Sequence, residues 1–411
     1  MSKLETLIQQ LCPDGVEYKK LGDIATITRG GNLQKKDFTD TGIPCIHYGQ
    51  IYTKYGLFAD KTFTFISEQS ASKQKYAEPN DIVMAVTSEN LEDVCKCVAW
   101  LGDVPAAVSG HTAIIHHSQN PKYLCYYFHS SHFQNQKNRM AHGTKVIEVT
   151  PNKLTDILLP VPPLEIQREI VRILDNFTEL TAELTAELTA ELTARKKQFE
   201  YCRDRLINDA IGDSGKLIDL LSEPITDGPH TTPKLVPEGV PFISAAAVWD
   251  GKIHFEKAQG FITKDFDIEC AKKYKPRRND VFMVKSGSTT GKVAFVDTDA
   301  DFNVWSPLAA MRTDNEITAR YIYHFLQTSS AQNMVFTRMS HGSQPNLSMR
   351  TLEQFDIKIP SFDEQRRIVA ILDRFDALCN DLTSGLPAEI AARQKQYEYY
   401  RDKLLTFKPL A

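Results

Sequence analysis

No stretch of this 411-residue sequence approaches the ~18 apolar residues that a membrane-crossing helix requires. Its opening, Met1-Ser-Lys-Leu-Glu-Thr-Leu-Ile-Gln-Gln10, lacks the apolar centre of a secretion signal, so a cytoplasmic protein is expected. Cysteine is sparse: Cys12, Cys45, Cys95, Cys97, Cys125, Cys202, Cys270 and Cys379 are scattered. Only Cys95 and Cys97 are neighbours, and no second pair follows at zinc-site spacing. Reduced thiols are expected, not disulfides or a metal centre. His116-His117 and His129-Ser-Ser-His132 stand without a carboxylate or thiol pattern and make no metal site.

Catalytic motifs are missing too. There is no Asn/Asp-Pro-Pro-Tyr/Phe segment of an amino-methyltransferase and no glycine-rich cofactor loop after a clean strand. Ser286-Gly-Ser-Thr-Thr-Gly-Lys292 approaches a phosphate loop, but Gly287 and Gly291 are one residue too close. Val293 also stands where Ser or Thr would hold magnesium. No catalytic residue and no cofactor is expected.

Excess positive charge is the third absence, since the formal net charge is −4. Residues 1–155 hold 16 basic and 15 acidic residues, 212–355 hold 16 and 17, and 356–411 hold 9 and 9. Residues 156–211, with 7 basic and 11 acidic, carry the imbalance. Any affinity for nucleic acid must come from local patches or a basic partner, because phosphate contacts dominate such binding.

What is present is a duplication. Gln167-Arg-Glu-Ile-Val-Arg-Ile-Leu-Asp-Asn-Phe177 returns as Gln365-Arg-Arg-Ile-Val-Ala-Ile-Leu-Asp-Arg-Phe375, at an offset of 198. Arg195-Lys-Lys-Gln-Phe-Glu-Tyr-Cys-Arg-Asp-Arg-Leu206 returns at the same offset as Arg393-Gln-Lys-Gln-Tyr-Glu-Tyr-Tyr-Arg-Asp-Lys-Leu404. Upstream echoes are fainter. Leu21–Ile24 matches Leu217–Leu220, Gly42–Ile46 matches Gly239–Ile243, and Asn80–Met84 matches Asn279–Met283. Tyr123 matches Tyr321, His142-Gly143 matches His341-Gly342, and Asp156–Pro160 matches Asp356–Pro360. Each half is a variable block followed by a nearly constant helix.

Within the blocks, short runs such as Asp81–Val86 and Lys292–Val296 read as strands, with helix near 122–135 and 318–332. Each block is therefore α+β. The expected layout is a first globular domain at 1–160, a central helix at 161–211, a second globular domain at 212–360 and a C-terminal helical region at 361–411. Pro162-Pro163 closes the first block, and a helix should run from Glu165 to about Leu206, roughly 60 Å. Ile166, Ile170, Ile173, Phe177, Leu180 and Leu184 alternate steps of four and three, the seam of a helix packed on another.

Three tandem Thr-Ala-Glu-Leu units then occupy Thr181 to Leu192, with Leu184, Leu188 and Leu192 stepping by four. One unit turns a helix by ~400°, a net ~40°, and advances it ~6 Å, so units can be added with both flanks still packed. The second copy lacks the units: Asp381-Leu-Thr-Ser-Gly-Leu-Pro-Ala-Glu389 stands there, and Gly385 with Pro387 should interrupt the helix. The duplicated seams make the two helical regions natural antiparallel coiled-coil partners. That pairing would relate the blocks by a pseudo-two-fold axis, suited to a split target on duplex DNA with an unread gap.

These helices and the two divergent blocks resemble the specificity subunit of type I restriction–modification enzymes, most closely the type IC branch with its TAEL spacer. The resemblance covers essentially the whole chain. It implies two target recognition domains, each reading half of a bipartite double-stranded DNA sequence. It also implies docking of two adenine methyltransferase subunits and of ATP-dependent restriction/translocase subunits. Three TAEL units imply a gap one base pair wider than in two-unit relatives. The ~40° step is close to one base pair's rotation, but ~6 Å exceeds the ~3.4 Å base-pair rise, so the helix lies oblique to the duplex or the DNA deforms. The acidic helix is expected to face partner protein.

Two other readings stay open from the residues alone: a DNA-modifying enzyme with a concealed site, and a protein-only coiled-coil scaffold. Candidate DNA contacts follow from side-chain chemistry. In the first block they are Arg29, Asn32, His47, Tyr48, His111, His142, Thr144 and Lys145. In the second they are His230, the basic run Lys272, Lys273, Lys275, Arg277 and Arg278, and the polar turn Ser286, Ser288, Thr289 and Lys292. His341, Ser343 and Gln344 complete the set. Lysine and arginine would position the protein on phosphates, while neutral histidine, serine and glutamine can read base edges.

Overall fold

The computed structural model describes residues 2–342, 344–380 and 385–410. Ser343 and Asp381–Ser384, both singled out above, lie outside them. Two compact units form: residues 1–185 together with 391–411, and residues 186–390. The first is thus assembled from both ends of the chain.

In the first unit a five-stranded sheet runs in the order Ala25–Arg29, Thr112–His117, Ile82–Ala85, Cys97–Trp100, Phe58–Ala59. Its two central strands are buried at every position. Ile82, Met84, Cys97 and Ala99 join one core, while Val83, Ala85, Val98 and Trp100 join another. Successive side chains point to opposite faces, so a strand covered on both sides reads as an unbroken apolar run. Helices Pro121–Phe128 and Ser131–Met140, N-capped by Asn120 and Ser130, cover one face. A second five-stranded sheet carries Ile43–Ile46 and Ala106–Val108 near its centre.

The second unit repeats this plan with fewer strands. Its main sheet runs Thr226–Asp227, Leu308–Met311, Val281–Val284, Val293–Phe295. Helices Glu316–Leu326 and Ser329–Arg338 take the places of the first unit's pair. Asn80 and Asn279 both adopt left-handed backbone (φ 74° and 72°) just before the central strand.

The central helix spans Leu164–Asn208, and two further helices span Phe362–Asn380 and Leu386–Leu404. Pairing is antiparallel within each unit. In the first, the Phe177 ring lies 6.0 Å from Tyr400, Thr178 Oγ1 lies 3.0 Å from the Tyr397 hydroxyl, and Leu184 shares a groove with Arg393. In the second, Phe199 stacks on Phe375 at 6.3 Å, and Asp209 lines a groove with Glu364. The division between units falls at Thr185, inside the TAEL segment.

Anchoring bonds repeat at the sequence offset. Gln167 Nε2 donates to Pro162 O at 2.8 Å, and Gln365 Nε2 to Pro360 O at 3.0 Å. Asp402 accepts from Ser131 N, and Asp204 from Ser329 N, each at 3.2 Å. Each globular part is therefore gripped by the start of one duplicated helix and the end of the other. Among the described residues, no helix is long and apolar enough to cross a membrane, and no cluster of three metal-ligating side chains occurs.

Candidate nucleic-acid interface

In the first unit several candidates converge at one end of the main sheet. Arg29 closes its strand and donates from Nε to Gly110 O at 2.9 Å and from a terminal nitrogen to Glu148 at 3.0 Å. Glu148 exchanges backbone hydrogen bonds with His142 and pairs with Thr87 across a two-residue ladder. Thr87 Oγ1 lies 3.2 Å from His111 Nδ1, and the His111 ring packs 4.9 Å from Tyr48. Tyr48 in turn lies 4.5 Å from His47, and its backbone N–H donates to Ser109 Oγ.

The result is a chain of contacts, His47–Tyr48–His111–Thr87–Glu148–Arg29, with His142 beside it. Asn32, Thr144 and Lys145 are exposed. Burial, Lys35 and His111 hold His47 below the ordinary imidazole range, so it is neutral near pH 7. Its Nδ1 accepts from Gly49 N, which caps the short helix Tyr48–Thr53. This end of the sheet thus offers one guanidinium, imidazoles and a phenol, groups able to discriminate base edges.

The second unit places a different set at the same topological position. Asp227, the counterpart of Arg29 at the end of the edge strand, is fully buried. Around it stand Lys273, Lys285 at 3.3 Å and His230 at 3.2 Å. Ser286, directly after Lys285, bridges to Asn346 as Thr87 pairs with Glu148. Gln344 Nε2 reaches Ser286 Oγ at 3.5 Å, and the His341 ring packs 5.3 Å from Phe336. The structure therefore brings Lys273, His230, Ser286 and Gln344 into one neighbourhood through Asp227 and Lys285. Ser288 is exposed and Thr289 half-buried on the same turn. Lys292 sits elsewhere, lining a cavity with Lys196, Arg203 and Trp249.

The basic run is less positive than its sequence suggests. Lys272 pairs with Glu269, Lys273 with Asp227, Lys275 with Asp267 and Asp301 at 2.6 and 2.7 Å, and Arg278 with Asp299 at 3.1 Å. Of these cations only Arg277 has no ion-pair partner among the described residues. Most of the run is locally neutralised, which weakens long-range attraction to phosphate.

Sequence reasoning missed Thr87, Glu148 and Lys285. A register signal existed, because the Asn80–Met84 and Asn279–Met283 echo, at an offset of 199, extends to set Val86-Thr87 beside Lys285-Ser286. The chain thus consists of two α+β units, each with a polar end of its sheet and a duplicated helical grip.

Comparison with known proteins agrees. The family profile of the type I restriction modification DNA specificity domain matches residues 13–194 and 229–392. The EcoR124I/EcoR124II specificity subunit of Escherichia coli is 32% identical over 425 aligned residues, covering 99% of this chain and 97% of the relative. A putative type I specificity subunit of Haemophilus influenzae is 30% identical over 426, covering 99% and 100%. Among solved structures, a chain from work on assembly and conformational transition of the type I restriction–modification system gives a TM-score of 0.68 at 18% identity, covering 96% of this chain and 98% of that one. The HsdS subunit of Thermoanaerobacter tengcongensis gives 0.54 at 18% identity, covering 96% and 97%.

The chain belongs to the family of type I restriction–modification DNA specificity subunits. Members of this family are the non-catalytic, DNA-binding components that assemble with methyltransferase and restriction subunits.

Proposed function

We propose that this chain reads a bipartite double-stranded DNA sequence with a fixed unread gap. Residues 1–160 would read one half-site, 212–360 the other, and the helical regions 161–211 and 361–411 would pair as the spacer. One observation carries this reading: equivalent sheet ends hold different chemistry, Arg29 with His47, Tyr48, His111 and His142 in one unit, Asp227 with Lys273, Lys285 and His230 in the other. A shared scaffold with divergent polar ends suits two readers of unlike sequences.

On this reading Asn32, Thr144, Lys145, Ser286, Ser288, Thr289, Lys292, His341, Ser343 and Gln344 supply further contacts, as do Lys272, Lys275, Arg277 and Arg278. Thr181, Leu184, Leu188 and Leu192 mark the spacer. The assembly would hold two adenine methyltransferase subunits and ATP-dependent restriction/translocase subunits, in the cytoplasm. The test is the methylated motif in host DNA. Two short defined blocks separated by a fixed run of unspecified base pairs are expected. A continuous motif, or none that depends on this gene, would refute the proposal.

A further inference from the structure

The N-terminal helix Lys3–Leu11 is amphipathic, and it has no counterpart among the described residues of the second unit. In the first unit it lies on the start of the central helix and the last residues of the chain. Leu4 enters the core with Ile166, Ile170 and Leu405, and Leu7 and Ile8 pack against the same core. Lys3 Nζ lies 2.8 Å from Glu169, whose side chain is only 3% exposed.

At the offset of 198, Ile170 becomes Ile368, Ile173 becomes Ile371, Leu404 becomes Leu206 and Glu169 becomes Arg367. Among the described residues of the second unit, no helix lies over this surface. An open groove of about 480 Å³ remains, lined by Cys202, Leu206, Ile211, Glu364, Arg367 and Ile371. The Arg367 side chain is 54% exposed where Glu169 is covered, and Ile211 is 89% exposed.

We infer that this groove of the second unit is a docking site for an amphipathic helix of another protein, one that carries an acidic residue where the N-terminal helix carries Lys3. The first unit supplies the template: a short helix with leucine and isoleucine spaced three and four apart, pinned by one ion pair to the same position of the duplicated helix. The second unit reverses the charge at that position. Glu169 is shared between Arg172 and the incoming Lys3, and Arg367 is likewise held by Glu364 at 2.7 Å while open to a second carboxylate. The N-terminal helix of a second copy would set Lys3 against Arg367, so it fits this site poorly and is also engaged in its own chain.

Cys202 provides the readout, being a half-buried thiol in the groove. Full-length protein carrying Cys12→Ser, which removes the other partly exposed thiol, is labelled with a maleimide in the presence of either of two synthetic peptides. One peptide has the sequence of residues 2–11 and the other the same sequence with Lys3→Glu. The Lys3→Glu peptide should slow Cys202 labelling several-fold more than the native one. In an Arg367→Glu variant the order should invert, and in Arg367→Ala the two should become equal; thermal melting confirms that both variants fold. Labelling unaffected by either peptide would overturn the docking site. Better protection by the native peptide would overturn the proposed occupant and assign the groove to a second copy's N-terminal helix.

Discussion

His324 Nε2 lies 2.8 Å from Asp373 Oδ1, and the Tyr126 hydroxyl makes the same 2.8 Å contact with Asp175, 198 residues earlier. A flanking cation completes each site: Arg320 at 3.1 Å from Asp373, Lys122 at 2.7 Å from Asp175. The duplicated helix thus keeps its carboxylate while the globular partner changes from phenol to imidazole. Asp373→Ala should destabilise the second unit by about 2–3 kcal/mol, because buried His324 loses its acceptor and half-buried Arg320 keeps only Glu316. Chemical denaturation of the purified chain would measure it, and a change below about 0.5 kcal/mol would show that the bond contributes little.

Deleting Thr185–Leu188 removes one TAEL unit and ~40° of helix rotation. The gap in the recognised motif should shorten by one base pair, with both half-sites unchanged. Methylome sequencing of cells carrying the assembled variant reads this directly. An unaltered gap would remove the ruler.

Arg29→Ala should relax discrimination in one half-site only, costing about 1–3 kcal/mol against the preferred sequence. A binding series on targets substituted in each half-site separately checks this. Uniform loss across both halves would make Arg29 a phosphate contact instead.

Burial, opposed by a hydrogen bond to Cys125 O, holds the His129 imidazole at about 4, below its ordinary 6.5. The folded protein therefore takes up that proton less readily than the unfolded chain. Stability is unaffected above about pH 6.5 and falls as pH drops from there towards 4. The second unit has Gln327 at this position, donating to Tyr323 O at 3.1 Å. His129→Gln should match the wild type at pH 7 and exceed it by about 1–2 kcal/mol at pH 5, measured by denaturant midpoints.

Hydrogen bonds from Arg172 and Lys3 lower the Glu169 carboxyl to about 2 from 4.5. This depressed acid stabilises the fold fully above about pH 4.5 and progressively less as pH falls towards 2. Glu169→Gln should cost about 1 kcal/mol at pH 7, with the difference from wild type narrowing by pH 3 in thermal melts. A constant difference across that range would point to packing instead of charge.

The fold was legible where local pattern and tertiary demand coincide. The seam from Ile166 to Leu184 and the double proline placed the helix at Glu165–Leu206, and the structure extends it to Leu164–Asn208. The repeat marks the equivalent strands Ile82–Ala85 and Val281–Val284 in the sequence itself. Less legible were features that depend on distant partners. Lys272–Arg278 are adjacent along the chain, so the sequence shows a positive patch. Their carboxylates, Asp227, Asp267, Asp299 and Asp301, come from other segments brought in by folding. Glu148 reaches Arg29 across 119 residues, through a two-residue strand too short to leave a periodic signature. The covering role of the N-terminal helix was equally hidden, because its partner surface joins residues near 169 and 405.

The bridge between Val16 and Pro409, with Leu410 N donating to Val16 O at 2.9 Å, has a consequence for biosynthesis. Domains generally fold in the order in which they leave the ribosome. Here the first unit stays incomplete until residues 391–411 have been translated, because Leu405 belongs to its core. The second unit, contiguous from 186 to 390, has all its residues earlier. The order in which the units become complete thus runs against their order along the sequence, and a message cut before codon 391 would spare the second unit while leaving the first unfinished.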